Sequence, residues 1–306
     1  MTKTPALRKF FTDPWGMAAL AVVLLFVFTA IGFEIYGSWC RNHNEIPVYL
    51  RSDPDNCYAS PSAQHWCGTD YQGRDVFLRT LAGSASALKV GVYSGLIAVV
   101  IGVTLGMMSG YFGGWIDDLT VWMFSIFASL PTLLFILAFA LLFSGEFMSP
   151  QALKKFSHLA ALLNTEPGML GVYLAIGLTG WVTLCRVIRG ETMKLKQISF
   201  VAAAKVAGVS NFKIIIRHIF PNVFHLVIIY FTTLFASAVM LEVIVSYLGL
   251  GVQSAPSWGI MISDGQSRLW MGVWWEIAAA STALLILVLA LNMLGDSLRD
   301  ALDVKK

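Results

Sequence analysis

The chain has 306 residues, of which 57% are hydrophobic and 13% charged, with a mean hydropathy of +0.70. A soluble domain carries about twice that share of charged residues, so an ordinary globular protein is excluded and most of the chain must lie in lipid. The net charge of +3 reads as a topology signal rather than as a nucleic-acid-binding one.

A helix needs about 20 apolar residues to cross a hydrocarbon core of about 30 Å, and runs of that length suit helices rather than barrel strands. Residues 1–16 are expected to form a cytoplasmic segment, with a transmembrane domain over 17–306. The first span, Met17 to Phe33, follows Lys3, Arg8 and Lys9. It is longer than the core of a secretory signal and no small-x-small cleavage site follows, so it is expected to remain as an anchor.

An outer loop is expected over about 37–87. It holds Cys40, Cys57 and Cys67, and an oxidising compartment permits one disulfide among them, with unpaired thiols the alternative. His43 and His65 share the loop without metal-ligand spacing, so no metal site is expected. The second span, Val90 to Phe112, carries Gly91, Gly95, Gly102, Gly106 and Gly110, a repeat that places all five on one face and invites close helix packing. Pro131 is expected to bend the third span, Leu119 to Phe143. The fourth runs from Pro167 to Cys185, and the sixth from Ile277 to Gly295.

The fifth span, about Val223 to Leu248, is interrupted by His225 and Glu242. A carboxylate deep in a membrane helix costs on the order of 2.5–3.5 kcal/mol, so Glu242 is expected to face protein or water. It is either a pathway or gate residue or a partner in a structural hydrogen bond.

With the N-terminus inside, thirteen Lys and Arg fall on inner segments and seven on outer ones, while Lys89 sits at a membrane edge. That excess places both termini in the cytoplasm. The chain has no G-x-x-x-x-G-K-[ST] run, nucleophile elbow or H-E-x-x-H, so it has no phosphate cradle and no catalytic constellation. It is expected not to be an enzyme.

The inner loop over about 186–222 is the most informative segment. Phe200 to Gly208 reads as a short helix of good formers stopped by a glycine in left-handed conformation. Ser210 is expected to cap a second helix, Asn211 to Phe220, closed by Pro221. Small side chains at Ala203 and Ala204 leave a surface that another protein's groove can approach.

Ala203, Ala204 and Gly208, followed by Ile214-Ile-Ile-Arg-His-Ile-Phe-Pro-Asn222, resemble the EAA loop of bacterial ABC-importer permeases of the oligopeptide and dipeptide (OppC and DppC) type. Gly68-Thr-Asp-Tyr-Gln-Gly-Arg-Asp75 is similar to that family's motif before the second span. Gly110-Tyr-Phe-Gly-Gly114, Ser246-Tyr-Leu-Gly-Leu-Gly251, Pro256-Ser-Trp-Gly259 and Leu294 to Asp303 match in the same order. The chain departs from the family at Ala202, where many relatives carry Glu. It also has Trp122 and Ser125 where an Arg and an acid are usual, and Ala85 and Ala87 in place of Arg and Ser. The outer segment Gly145 to Glu166 is longer than usual.

The resemblance implies an all-α, type I ABC-importer permease fold with about six transmembrane helices, in the bacterial cytoplasmic (inner) membrane. It implies a second permease subunit, two ATP-binding subunits holding ATP and Mg, and an extracytoplasmic substrate-binding protein. Ala202, Ala203, Ala204, Gly208 and Val209 become the expected contact with the ATPase. Docking there is expected to rest on shape, since Ala202 lacks the carboxylate. The outer-loop residues Gly68, Asp70, Gly73, Arg74 and Asp75 are expected to be structural and to dock against partner subunits. The implied cargo is a peptide, with nickel chelates or other small solutes as the alternative. A secondary transporter would show inverted repeats and paired intramembrane charges, and little beyond Glu242 and Pro131 points there.

Overall fold

The computed structural model describes residues 5–143, 147–251 and 255–302. Residues 1–4 of the N-terminal segment, Gly145 of the long outer segment and Asp303 of the last motif lie outside the described residues. The described chain is helical throughout, apart from one bridge between Thr69 and Asp75. A short α1 (Pro5–Thr12) leads into α2 (Pro14–Asn42), and α3 (Val76–Phe112) follows the loop. Then come α4 (Gly114–Ser129), α5 (Thr132–Phe143), α6 (Pro150–Leu162) and α7 (Pro167–Leu195). A hairpin of α8 (Ser199–Val206) and α9 (Asn211–Ile214) leads to α10 (Phe220–Tyr247), and α11 (Trp258–Gln266) and α12 (Trp275–Leu302) close the chain. Five helices are long and apolar enough to cross a membrane, or six if the bent pair α4–α5 is one broken span.

The helices overrun the apolar runs that announce them. α2 extends to Asn42, so the outer loop is residues 43–75, narrower than the 37–87 expected, and α7 runs on to Leu195. Polar residues at these ends still gain helical hydrogen bonds once they leave the hydrocarbon. The bend expected at Pro131 is present and breaks the third span in two: α4 and α5 meet at 90°. Pro131 disfavours helical backbone at the residue before it, and Leu130 is accordingly extended, with φ −80° and ψ 134°.

A second correction concerns Pro221, which does not end a helix. Residues 215–219 form a π-turn, and the helical path continues from Asn211 to Tyr247. The wider turn takes up the ring and the missing N–H of proline, as π-bulges inside α-helices do.

α3 is the axis of the bundle. A Cβ placed on Gly102, Gly106 or Gly110 would lie 2.9, 2.8 and 2.6 Å from the carbonyl oxygens of Trp181, Cys185 and Arg189 on α7. The two backbones therefore touch. Gly91 and Gly95 serve a different neighbour, since a Cβ there would strike the rings of Phe235 and Phe231 on α10 at 2.4 and 2.7 Å. The single glycine face expected from the sequence is thus divided along its length, its first two glycines meeting α10 and its last three α7.

Both termini sit at one face, where Phe10, Ala19, Leu294 and Ala301 pack together and Lys9 donates to the carbonyl of Asp300. Asp13 caps α2 by accepting from the N–H groups of Trp15 and Gly16 at 3.1 and 3.2 Å. Its hydrogen bond from Ser297 is the main reason its carboxyl stays below the usual carboxylate range.

The seam gives a paired prediction. Gly106→Ala should destabilise the chain by about 1–3 kcal/mol, because the obstacle is backbone and the helices must part. Gly190→Ala on α7, with nothing within 4 Å of the added carbon, should be neutral or stabilising by up to about 1 kcal/mol. Thermal unfolding in detergent separates the two.

Candidate functional site

Three polar or exposed constellations stand out, two toward the outer face and one on the cytoplasmic face. The first is built by the motif Gly68 to Asp75. Gly68 and Gly73 both have positive φ, +69° and +72°, and a side chain at Gly73 would overlap the carbonyl of Asp53. These turns fold the loop back over Asp70, which is fully buried. Its carboxylate accepts from the backbone N–H of Gln72 and Arg74 at 2.8 and 2.9 Å and from Arg74 Nε at 2.6 Å. It also pairs with Arg79. Arg79 reaches on to Glu276 at 3.1 Å, and Arg268 approaches the same carboxylate at 3.9 Å.

The loop, α3 and α12 are thereby joined through alternating charges. Asp75 caps α3 at Leu78 N, 2.9 Å, and its other oxygen lies 2.8 Å from His65 Nδ1. Trp275 Nε1 donates to the Thr69 carbonyl at 2.9 Å. A partner subunit cannot reach the carboxylate of Asp70, because it is enclosed by its own chain. Arg79, Arg268 and Glu276 were missed in the sequence. An acid at the start of the last span and an Arg just inside the second were the available signals.

Among the described residues the cysteines are free. Cys40 is fully buried, Cys57 exposed and Cys67 half-buried, and burial pushes the Cys67 thiol up. No group of metal-ligating side chains occurs among the described residues.

The second constellation surrounds Glu242, which is 1% exposed. Its Oε1 accepts from Ser246 Oγ at 2.6 Å, one turn along α10, and from Ser257 Oγ at 2.9 Å, at the start of α11. The whole Pro256-Ser-Trp-Gly259 string is held in this way. The Pro256 carbonyl accepts from Ser86 at 2.8 Å, Trp258 Nε1 donates to the Thr80 carbonyl at 2.8 Å, and Gly259 lies against the Val243 carbonyl. The Ser246 to Gly251 string ends α10 in a Schellman turn: Leu250 N bonds Val245 O and Gly249 N bonds Ser246 O, with Gly249 at φ +80°.

The third constellation is the α8–α9 hairpin. α8 ends in the same device, with Val209 N to Ala204 O and Gly208 N to Lys205 O, both 3.1 Å, and Gly208 at φ +74°. Ser210 stands at the start of α9 but its side chain makes no capping bond, so that expected cap is corrected. The hairpin is rooted by Val201, Ile214, Ile215 and Ile219, all buried with Ile188 of α7 and Val103 of α3 in one cluster, and Ala204 and Val209 pack at its edge. Tyr111 of α3 donates to Asn211 Oδ1 at 2.8 Å. Beside it Arg189 grips Asp117 with two bonds of 2.5 and 2.6 Å.

The outward side is apolar. Val206 is 90% exposed and Phe212 72%, and Ala202, Ala203 and Gly208 are exposed with them. Val206 and Phe212 were not singled out in the sequence. In α4, Trp122 is 62% exposed and Ser125 bonds back to Val121 O at 2.7 Å, so the absence of an Arg and an acid there leaves no unmet charge.

This arrangement of crossing helices around a rooted, apolar hairpin defines a membrane permease subunit of the ABC-importer class. The model of the family described as "Binding-protein-dependent transport system inner membrane component" matches residues 102–306, and the chain belongs to that family. It is 33% identical to the dipeptide transport system permease protein DppC of Bacillus subtilis (strain 168), over 98% of this chain and 85% of the relative. The oligopeptide transport system permease protein OppC of Haemophilus influenzae is also 33% identical, over 98% and 88%. The glutathione transport system permease protein GsiD of Pectobacterium atrosepticum is 30% identical, over 97% and 89%. The chain is thus a multi-pass inner-membrane protein of the oligopeptide and dipeptide permease type.

The buried charge cluster is sharply testable. Arg79→Met leaves two buried carboxylates facing each other and should destabilise the chain by about 3–5 kcal/mol, the usual result of removing one partner of a buried pair. Arg79→Lys should lose less. Thermal unfolding of the purified complex would rank them.

Proposed function

We propose that this chain forms one half of the translocation pore of an importer of small peptides, coupled through the α8–α9 hairpin to ATP-binding subunits. The observation that carries the coupling assignment is the exposed apolar hairpin, held on a rigid base between α7 and α10. The other half of the pore belongs to a second permease subunit. Two ATPase subunits bind ATP and Mg at the cytoplasmic face, and an extracytoplasmic binding protein delivers cargo to the outer face. Support for the cargo class comes from the relatives, named for dipeptide, oligopeptide and glutathione transport.

ATP hydrolysis in a separate subunit drives transport only if its states hold the hairpin differently, since a ligand shifts an equilibrium solely by differential affinity. Ala202, Ala203 and Gly208 form the shallow part of the proposed contact, and Val206 and Phe212 its anchors. Ala204 and Val209 brace it from beneath. In this reading Glu242 is a clasp between α10 and α11 that closes the outer end of the pore wall, and the Gly68 to Asp75 turn stiffens the face on which the binding protein docks.

Reconstituted complex provides the test. Ala203→Arg should lift the hairpin from its groove and abolish peptide-stimulated ATPase activity. Gly208→Val should oppose the left-handed turn by roughly 1 kcal/mol or more and weaken ATPase association. Unchanged transport and association in both variants would remove the coupling assignment. Peptide uptake that persists without any ATPase subunit would instead support a secondary transporter, and uptake of nickel chelates but not peptides would change only the cargo.

Glu242→Gln should preserve assembly, because an amide still accepts from both serines, whereas Glu242→Lys should impair it. Yield of the assembled complex after detergent extraction reads this difference.

A further inference from the structure

At the outer end of α2 a polar pocket opens directly into an apolar trench. The pocket has a volume of about 250 Å³ and is lined by Glu34, Arg41, Tyr49, Lys89, Asn164 and Glu166 among others. The trench, about 500 Å³, runs between α2, α3, α10 and α12 past Val27, Ile31, Val92, Phe231, Phe235 and Leu291. Glu34, Ala85 and Lys89 line both. Lys89 Nζ lies 2.8 Å from Glu34 Oε2 and 2.5 Å from the Asn164 carbonyl. Arg41 bonds Asn164 Oδ1 at 2.8 Å, stands 4.0 Å from Glu34, and leaves 57% of its side chain exposed.

We infer that this is a binding site for a zwitterionic phospholipid with an ammonium headgroup, drawn from the outer leaflet. Three features argue for that occupant. The first is continuity: a polar chamber sharing its wall with an apolar trench fits an amphiphile, whereas a free hydrophilic solute would leave the trench empty and its lining without dispersion contacts. The second is length. From Glu34 down to Val23, α2 descends about 16 Å at about 1.5 Å per residue, close to one leaflet of a hydrocarbon core about 30 Å thick. The third is charge. Glu34, held between Lys89 and the side-chain amide of Asn164, is the acid that faces an ammonium, and Arg41 and Lys89 are the donors that face a phosphate. The lining carries both signs, Glu34 and Glu166 beside Arg41 and Lys89, which matches a headgroup that carries both.

The lipid would fill the cleft between α2 and the rest of the bundle, and so set how firmly the first span is held. Native mass spectrometry of the full transporter, extracted from nanodiscs of mixed phosphatidylethanolamine and phosphatidylglycerol, provides the test. Phosphatidylethanolamine should be retained preferentially. Glu34→Gln should weaken its retention about tenfold, the loss of one charge-assisted bond, and erase the preference. Val27→Trp, which fills the trench and leaves the polar pocket intact, should reduce retention of both lipids. Equal retention of the two lipids by the parent complex, or insensitivity to both substitutions, would overturn the site. So would displacement of the lipid by a dipeptide at transport concentrations, which would make the pocket a cargo subsite. Cross-linking of an Ile31→Cys variant to the second permease subunit would also overturn it, by showing a protein helix in the trench.

Discussion

The contact on which the structure depends is the backbone seam between α3 and α7. In lipid, water no longer drives apolar helices together, so association rests on close packing and on polar bonds. Gly102, Gly106 and Gly110 let α3 reach the carbonyls of α7 directly. The two helices then behave as one slab crossing the membrane. At its outer end α3 carries Asp75 and Arg79, which fix the 43–75 loop and the start of α12. At its inner end α7 enters the hairpin, and Tyr111 of α3 bonds α9 from the other side. One rigid element therefore connects the 43–75 loop to the α8–α9 hairpin.

Around this slab, polar groups in the helices are given partners within the chain. Glu242 has two serines, Arg79 has two carboxylates, and Asp117 has Arg189. Leaving such groups unmet in a low-dielectric environment is expensive, so these bonds fix where α4, α11 and α12 sit. The hairpin inverts the pattern. Its polar backbone ends are closed by the Schellman turn at Gly208, while Val206 and Phe212 stand in water.

The spans were legible because hydrocarbon thickness imposes a length on every apolar run. Gly208 and Gly249 were equally readable, since a left-handed turn at a helix end favours glycine on local grounds alone. Pro221 misled, because a proline's effect depends on whether the preceding turn can widen, and the π-turn at 215–219 is a property of packing against α3 and α7. Pro131 was read as a kink, but nothing in the sequence gave its 90° size. Arg79, Glu276 and Arg268 escaped notice because they are brought together from positions almost two hundred residues apart, and a single sequence carries no record of that meeting. The exposed state of Val206 and Phe212 was hidden for a related reason: periodicity reports which residues share a face, not whether a face is covered.

Cysteine cross-linking from position 203 is the most direct measurement of the hairpin's role. An Ala203→Cys variant in the assembled transporter, with Cys57 replaced by Ser, would be oxidised against single cysteines in the ATP-binding subunit, with and without bound nucleotide. A cross-link whose yield changes between the two states is the expected result, because the hairpin must feel the closure of its partner. Contradiction would come from a cross-link of constant yield, or from none at position 203 while a cysteine introduced elsewhere on the cytoplasmic face cross-links readily.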